Sequence, residues 1–188
     1  VSKRINEFNS KYLNFKNDNE YEKQVKRLIN YYLNEDYKEK IISIMLNHFF
    51  NKNDELFNKF YLSKMQIKRI QDLGNIIGLH SVNHNVMANL SKEKQNYEIK
   101  ENIVSLKEFI DVEQLKLFVY PYGGKDTYDN NSFDILKNNE VDYAFSAVPE
   151  DLSLSHLSNK YTLPRYDCNL FKYGNIYSKS EDLNNKEY

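Results

Sequence analysis

Apolar residues recur with two different spacings along this chain, and the change of spacing divides the chain into regions. Up to about residue 60, apolar positions recur every three or four residues, as they do on one face of a helix. Two such stripes are present: Val25, Leu28, Ile29, Tyr32 and Leu33, then Ile42, Met45, Leu46, Phe49 and Phe50. The polar residues 34–36 separate the stripes, and the region contains neither glycine nor proline. The pattern predicts a helical N-terminal region over residues 1–60.

From residue 61 onwards, short apolar runs alternate with helical periodicity. Ser63 to Gln66 has the form of a capping box, and Gly74 is placed to end that helix. Ser91 can cap a later helix, whose apolar face is predicted to be Ile99, Ile103, Leu106 and Ile110. Strands are predicted at 76–79, 115–120, 142–147 and 161–166, with a short helix near 132–138. This alternation predicts an α/β domain with parallel strands over residues 61–177, followed by a polar tail at 178–188.

Composition narrows the functional classes. The net charge is −1, so no basic field favours nucleic acid as a partner. No apolar run approaches the roughly 18 residues of a membrane-spanning helix, and the single cysteine, Cys168, excludes an internal disulfide. The cellular location stays open, with the bacterial cytoplasm and the cell envelope as the two alternatives.

Two histidines carry the candidate chemistry. His80 and His84 follow the predicted strand 76–79, and the turn Tyr120–Gly124 follows the next predicted strand. Since parallel strands end at one edge of a sheet, we expect the two segments to lie near one another. Neutral imidazoles are common zinc ligands, although chance spacing of two surface histidines is the alternative. We expect His48 to be a helix-boundary residue and His156 to be a loop histidine.

The ordered motifs resemble a known family. His80-Ser81-x-x-His84, then Leu90-Ser91 and later Phe118 to Gly123 are similar to segments of the polysaccharide deacetylases, also called the NodB-homology group or carbohydrate esterase family 4. The resemblance covers roughly residues 61–170. It implies an incomplete or deformed (β/α) barrel and metal-dependent hydrolysis of N-acetyl groups on an amino-sugar polysaccharide or oligosaccharide. The implied cofactor is Zn²⁺ or another divalent transition metal, and the implied partner is an acetylated glycan.

The resemblance also implies roles for individual residues. His80 and His84 would be metal ligands. The backbone N–H of Tyr122 would help to stabilise the oxyanion, and Tyr120, Pro121 and the Tyr122 ring would bind substrate. Arg165 and Asp167 are expected to orient a site carboxylate or to bind substrate, with an ordinary surface ion pair between them as the alternative.

One family motif has no counterpart here. The Thr-Phe-Asp-Asp-Gly segment, which supplies the base and the third metal ligand, is absent from residues 1–75, and the late Leu-x-His motif has no clear match. One interpretation is a fragment that begins after that segment; the other is a degenerate, non-catalytic carbohydrate-binding or scaffold domain. A weaker alternative keeps the metal but acts on an ester or formamide. In the fragment, uncovered aromatic residues such as Phe49, Phe50, Phe57, Phe60 and Tyr61 are expected to promote self-association.

Overall fold

The chain divides into two compact units, Val1–Ser63 and Lys64–Tyr188. The computed structural model describes residues 18–50, 59–111, 113 and 115–171, together with Asn6 and Asn9. The polar tail predicted at 178–188 lies outside these residues. Within the described ranges, none of the helices combines the length and the apolar character needed to cross a bilayer.

Among the described residues of the first unit, two α-helices are joined by a π-helix. Helix α1 spans Glu20–Arg27, a π-helix spans Leu28–Tyr32, and helix α2 spans Glu35–Phe49. A capping box starts α1, because the Asn19 side chain accepts from the Glu22 N–H while the Glu22 carboxylate accepts from the Asn19 N–H. A break between the helices is present but lies earlier than predicted: the backbone becomes extended at Leu33, with ψ of 138°, and the predicted break residues Glu35 and Asp36 already belong to α2.

The two apolar stripes of this unit are largely exposed. Val25 is 48% exposed and Phe49 is 67% exposed. In the first stripe the α-helical period stops at Arg27, since the Leu33 N–H bonds to the Leu28 carbonyl five residues earlier, at 3.0 Å. Self-association through these helices stays a prediction, and Phe57 lies outside the described residues.

In the part of the second unit that the structure describes, three α-helices have recognisable ends. Helix α3 spans Lys64–Asp72 and starts directly after Ser63. Gly74 follows it with φ of +88°, and its N–H bonds to the Gln71 carbonyl at 2.8 Å. Helix α4 spans Lys92–Lys107, and the Ser91 hydroxyl accepts from the Lys94 N–H as predicted. Helix α5 spans Asn130–Asn138 and begins with a capping box at Asp129.

Four parallel segments run in chain order beside these helices. Strands β1, Leu117–Val119, and β2, Tyr143–Phe145, pair in parallel. Leu79 forms a parallel bridge to Phe118 on one side, and Leu163 forms one to Phe145 on the other. Of the four predicted strands, 115–120 and 142–147 contain shorter strands, whereas 76–79 and 161–166 contribute only the single bridge residues Leu79 and Leu163. Within the described part of the chain only the two strands and two bridges are seen, so a barrel is not established.

The hydrophobic core lies between the parallel segments and the helices of the second unit. Phe118, at the centre of β1, is fully buried, and burying such a side chain contributes roughly 1.5–3 kcal/mol. Helices α4 and α5 are also joined by a polar contact, because the Ser132 hydroxyl donates to Gln95 at 2.7 Å. The core consists of Leu79, Met87, Ile99, Ile110, Leu115, Phe118, Tyr120, Ile135, Leu136, Val141, Ala144 and Tyr161.

Candidate functional site

His80 directly follows Leu79, the residue that is bridged to β1, and the His84 ring lies against the His80 ring. Their ring centroids are 4.9 Å apart in an edge-on arrangement, and both residues are exposed. The Nδ1 of His80 lies 2.7 Å from the Val119 carbonyl oxygen at the end of β1. A carbonyl can only accept, so Nδ1 carries the proton, and in the neutral form of the ring the lone pair is on Nε2. A backbone carbonyl on the other ring nitrogen is the usual support of a metal-binding histidine.

The segment between the histidines has an unusual backbone. Ser81 and His84 have φ of 62° and 54°, in the left-handed region that non-glycine residues rarely adopt. The Ser81 hydroxyl accepts from the His84 N–H at 3.1 Å, which closes the loop on itself. Residues held in such conformations occur often at functional sites. Here the chain reverses its direction between the two histidines, and the His84 ring contacts the His80 ring.

Helix α4 supports this loop through two polar side chains that the sequence did not single out for the site. The carboxylate of Glu98, which is 3% exposed, accepts hydrogen bonds from loop N–H groups, including those of Val82 at 2.9 Å and Asn83 at 2.8 Å. Asn102 accepts from the His80 N–H at 2.8 Å. A signal was available, because Gln95, Glu98 and Asn102 share a helix face with the apolar Ile99.

The predicted proximity of the second loop is confirmed by Tyr122. Its ring centroid lies 4.8 Å from that of His84, so the His84 ring contacts both His80 and Tyr122. The turn that carries Tyr122 is tight, with φ of 63° at Tyr122 and +69° at Gly123. The Gly123 carbonyl accepts from the Ala147 N–H at 2.8 Å, which attaches the turn to the segment after β2.

Of the other residues predicted to bind substrate, Tyr120 and Pro121 are buried, whereas Arg165 is exposed. Tyr120 is 1% exposed and its ring stacks on that of Tyr128 at 4.2 Å, while Pro121 is also buried. Burial raises the pKa of the Tyr120 hydroxyl, which has no hydrogen-bond partner among the described residues. Arg165 is exposed, and its backbone N–H bonds to the Val148 carbonyl at 3.1 Å. Substrate contact by Tyr120, Pro121 and Arg165 stays a prediction.

The remaining two histidines have local partners. His156 lies in a 3₁₀ helix, Leu154–Asn159, where its Nε2 is 2.6 Å from the Glu150 carboxylate and its Nδ1 accepts from the Ser153 N–H at 3.0 Å. His48 is exposed near the end of α2, with its ring edge against Phe49. Neither contact involves the His80–His84 pair.

The donor set fits two of the ligands of a metal ion. Neutral imidazoles suit zinc and several other divalent transition metals. A catalytic zinc site uses three protein ligands, and the described residues contain no group of three His, Cys, Asp or Glu side chains that could hold an ion. His80 and His84 therefore fit two of the three protein ligands of such a metal site.

Comparison with known proteins identifies the family. The model of the family described as "Polysaccharide deacetylase" matches residues 12–144, so the match includes much of the N-terminal region. No curated protein gave a significant match. The solved structure of Streptococcus pyogenes deacetylase PplD in complex with acetate is similar, with a TM-score of 0.50 and 20% identity. That similarity concerns the fold, and it covers 56% of this chain and 44% of the PplD chain. The chain belongs to the polysaccharide deacetylase family.

Proposed function

We propose that this chain is part of a metal-dependent N-deacetylase that hydrolyses the acetamido groups of an amino-sugar glycan. The observation that carries the proposal is the His80–His84 pair, in which the Val119 carbonyl holds the Nδ1 proton of His80 and leaves Nε2 for a ligand bond. The family supports the reaction class. The acetate complex named for PplD supports an acetyl group as the acyl part that is released.

The reaction needs help at both reactants. An amide carbonyl is a weak electrophile and neutral water is a weak nucleophile; a bound Zn²⁺ polarises the first and lowers the pKa of the second to about 7. In the proposal, His80 and His84 supply two of the metal ligands. In the proposal, the third ligand and the base that takes the proton of the attacking water are aspartates of the family's Thr-Phe-Asp-Asp-Gly segment, which has no counterpart in residues 1–75.

The turn after β1 has the role of orienting the substrate. In the proposal, the backbone N–H of Tyr122 donates to the oxyanion of the tetrahedral intermediate, where a fixed dipole is most effective. The Tyr122 ring, beside His84, forms one side of the acetyl pocket. Tyr120 and Pro121, which are buried and directly precede Tyr122, hold that turn in place. Arg165 orients a carboxylate or the glycan. The four parallel segments are proposed to be part of a deformed (β/α) barrel.

Zinc titration of the metal-free chain, followed by calorimetry or chelator competition, tests the metal part of the proposal. Binding is expected in the wild type, to be strongly weakened by His80→Ala or His84→Ala, and to be unchanged by His156→Ala. The His156 variant is a matched control because it removes a half-buried imidazole with its own local partners. Equal zinc binding by the wild type and the His80 and His84 variants would contradict the assignment.

An activity assay tests the reaction. The chain is incubated with Zn²⁺ and N-acetylglucosamine oligomers, and released acetate and new free amines are counted together. Equal amounts of the two products, lost in His84→Ala, support N-deacetylation, whereas acetate without amines would indicate ester cleavage.

A second candidate is a non-catalytic glycan-binding domain of the same family. It is favoured by one observation, namely that the described residues offer no group of three metal-ligating side chains. In that case the oligomers bind to the chain with zinc present, but neither acetate nor amine appears.

A further inference from the structure

Glu98 makes contacts that are unusual for a carboxylate inside a fold. It is 3% exposed and accepts four hydrogen bonds from the histidine loop. One oxygen takes the backbone N–H groups of Val82 and Asn83 at 2.9 and 2.8 Å. The other oxygen faces the side-chain amides of Asn83 and Asn85 at 2.8 and 3.5 Å. Burying a carboxylate is unfavourable unless such donors compensate for lost water.

Asn102 lies one helical turn further along α4, on the same face as Glu98. Its side-chain oxygen accepts from the His80 N–H at 2.8 Å. Asn102 therefore fixes the start of the loop, while Glu98 fixes its middle. The two residues with left-handed backbones are Ser81 and His84. Ser81 lies between the Asn102 contact at His80 and the Glu98 contacts at residues 82 and 83, and His84 directly follows those Glu98 contacts.

We propose that Glu98 and Asn102 are positioning residues that impose the loop conformation in which the His80 and His84 imidazoles converge. A non-glycine residue stays in the left-handed region only where its surroundings determine it. Two successive backbone N–H groups directed at one buried carboxylate oxygen provide that constraint. The inference deepens the proposed function, on which its metal readout rests, but the placement of the rings can be measured without metal.

The experiment compares Glu98→Gln, Asn102→Ala and Asn102→Asp with the control Glu101→Gln. Glu98→Gln keeps the side-chain size but turns an N–H₂ group towards loop donors. Asn102→Asp keeps an acceptor for the His80 N–H, whereas Asn102→Ala removes it. Glu101 is on the same helix, and its carboxylate is not among the partners of the loop in the described residues.

The first readout is the NMR spectrum of the histidine rings in the metal-free chain. The wild type is expected to show His80 as the Nδ1–H tautomer and His84 proton shifts displaced by the adjacent Tyr122 ring. Asn102→Ala should average the His80 tautomers, and Asn102→Asp should restore the wild-type spectrum. Glu98→Gln should remove the Tyr122-induced shift of His84, and Glu101→Gln should change neither signal.

The second readout is zinc affinity, which should fall about 10–100-fold in Glu98→Gln, as is typical when the support of a metal ligand is removed. Wild-type histidine spectra in both Glu98→Gln and Asn102→Ala would overturn the inference. If Glu98→Gln does not fold, the pair of Asn102 variants decides the outcome. Absent zinc binding by the wild type would contradict the proposed function, while the metal-free spectra would still support or overturn the positioning roles.

Discussion

Gly123 is the position in the candidate site where a single methyl group should have the largest effect. Its backbone has φ of +69°, and a Cβ added there would lie 2.6 Å from the Cβ and 2.6 Å from the backbone nitrogen of Ala147. The Gly123 carbonyl also accepts from the Ala147 N–H at 2.8 Å, so the two segments cannot separate without losing that bond. Gly123→Ala therefore combines backbone strain with a steric clash against backbone.

The two contributions can be estimated separately. A left-handed conformation costs a residue with a Cβ roughly 1–2 kcal/mol. Inserting a methyl group into closely packed surroundings costs typically about 1–3 kcal/mol more. The free energy of unfolding should therefore fall by about 2–5 kcal/mol in Gly123→Ala. Gly74→Ala is the matched control in the same unit, because φ is +88° there and nothing lies within 4 Å of the added Cβ, so only about 1–2 kcal/mol should be lost.

Denaturant unfolding followed by circular dichroism measures both losses. Adding Ala147→Gly to Gly123→Ala should recover part of the difference, since the Cβ–Cβ clash disappears while the contact with the backbone nitrogen remains. The reasoning would be refuted if Gly123→Ala and Gly74→Ala lost equal stability, because the Ala147 contact would then have no energetic consequence.

Two further predictions concern the core and the response to acid. Phe118→Ala should lower the free energy of unfolding by about 3–5 kcal/mol in the same denaturation assay, because the ring is fully buried; a loss comparable to that of an exposed residue would contradict the assigned core. Burial acts to raise the pKa of Asp129, but hydrogen bonds from Ser132, Gln95 and Asn131 outweigh it, so the pKa is lowered overall. A carboxyl with a lowered folded-state pKa stabilises the fold above its unfolded value of about 3.9 and loses that contribution as the pH falls towards the folded-state pKa. Asp129→Asn should therefore flatten the decline of stability in acid, and an unchanged profile would refute this assignment.

Helix ends were predictable from the sequence because their determinants are local. Ser91 caps α4, and Gly74 ends α3 with a left-handed backbone, as their residue types require. The turn at Leu28–Tyr32 was not predicted. This π-helix has hydrogen bonds that join residues five apart, but the spacing of apolar residues in its sequence is the same as in an α-helix. The sequence pattern therefore cannot distinguish the two.

Strand lengths were less predictable, because pairing depends on a neighbour that is distant in sequence. Ile76 and Ile77 have the side chains of a buried strand, yet Ile76 is 65% exposed and only Leu79 is bridged to β1. Gly78 allows the chain to approach β1, since a Cβ there would lie 3.3 Å from the Leu117 carbonyl oxygen. The close approach is thus confined to the residues that immediately precede the histidines.

The proximity of His84 and Tyr122 followed from the rule that parallel strands end at one edge, whereas the supports of the loop did not follow from any motif. Glu98 lies in the middle of a helix, where a glutamate is normally solvent-exposed, and its contacts depend on how α4 packs against the loop at residues 80–85. Only its burial identifies it, because a carboxylate that is 3% exposed must have partners that replace water. The same reasoning explains why the loop conformation could not be read from the His-x-x-x-His spacing. In this loop the two imidazoles meet with Ser81 and His84 in left-handed backbones, and the side chains that bind the loop backbone, Glu98 and Asn102, lie on another element.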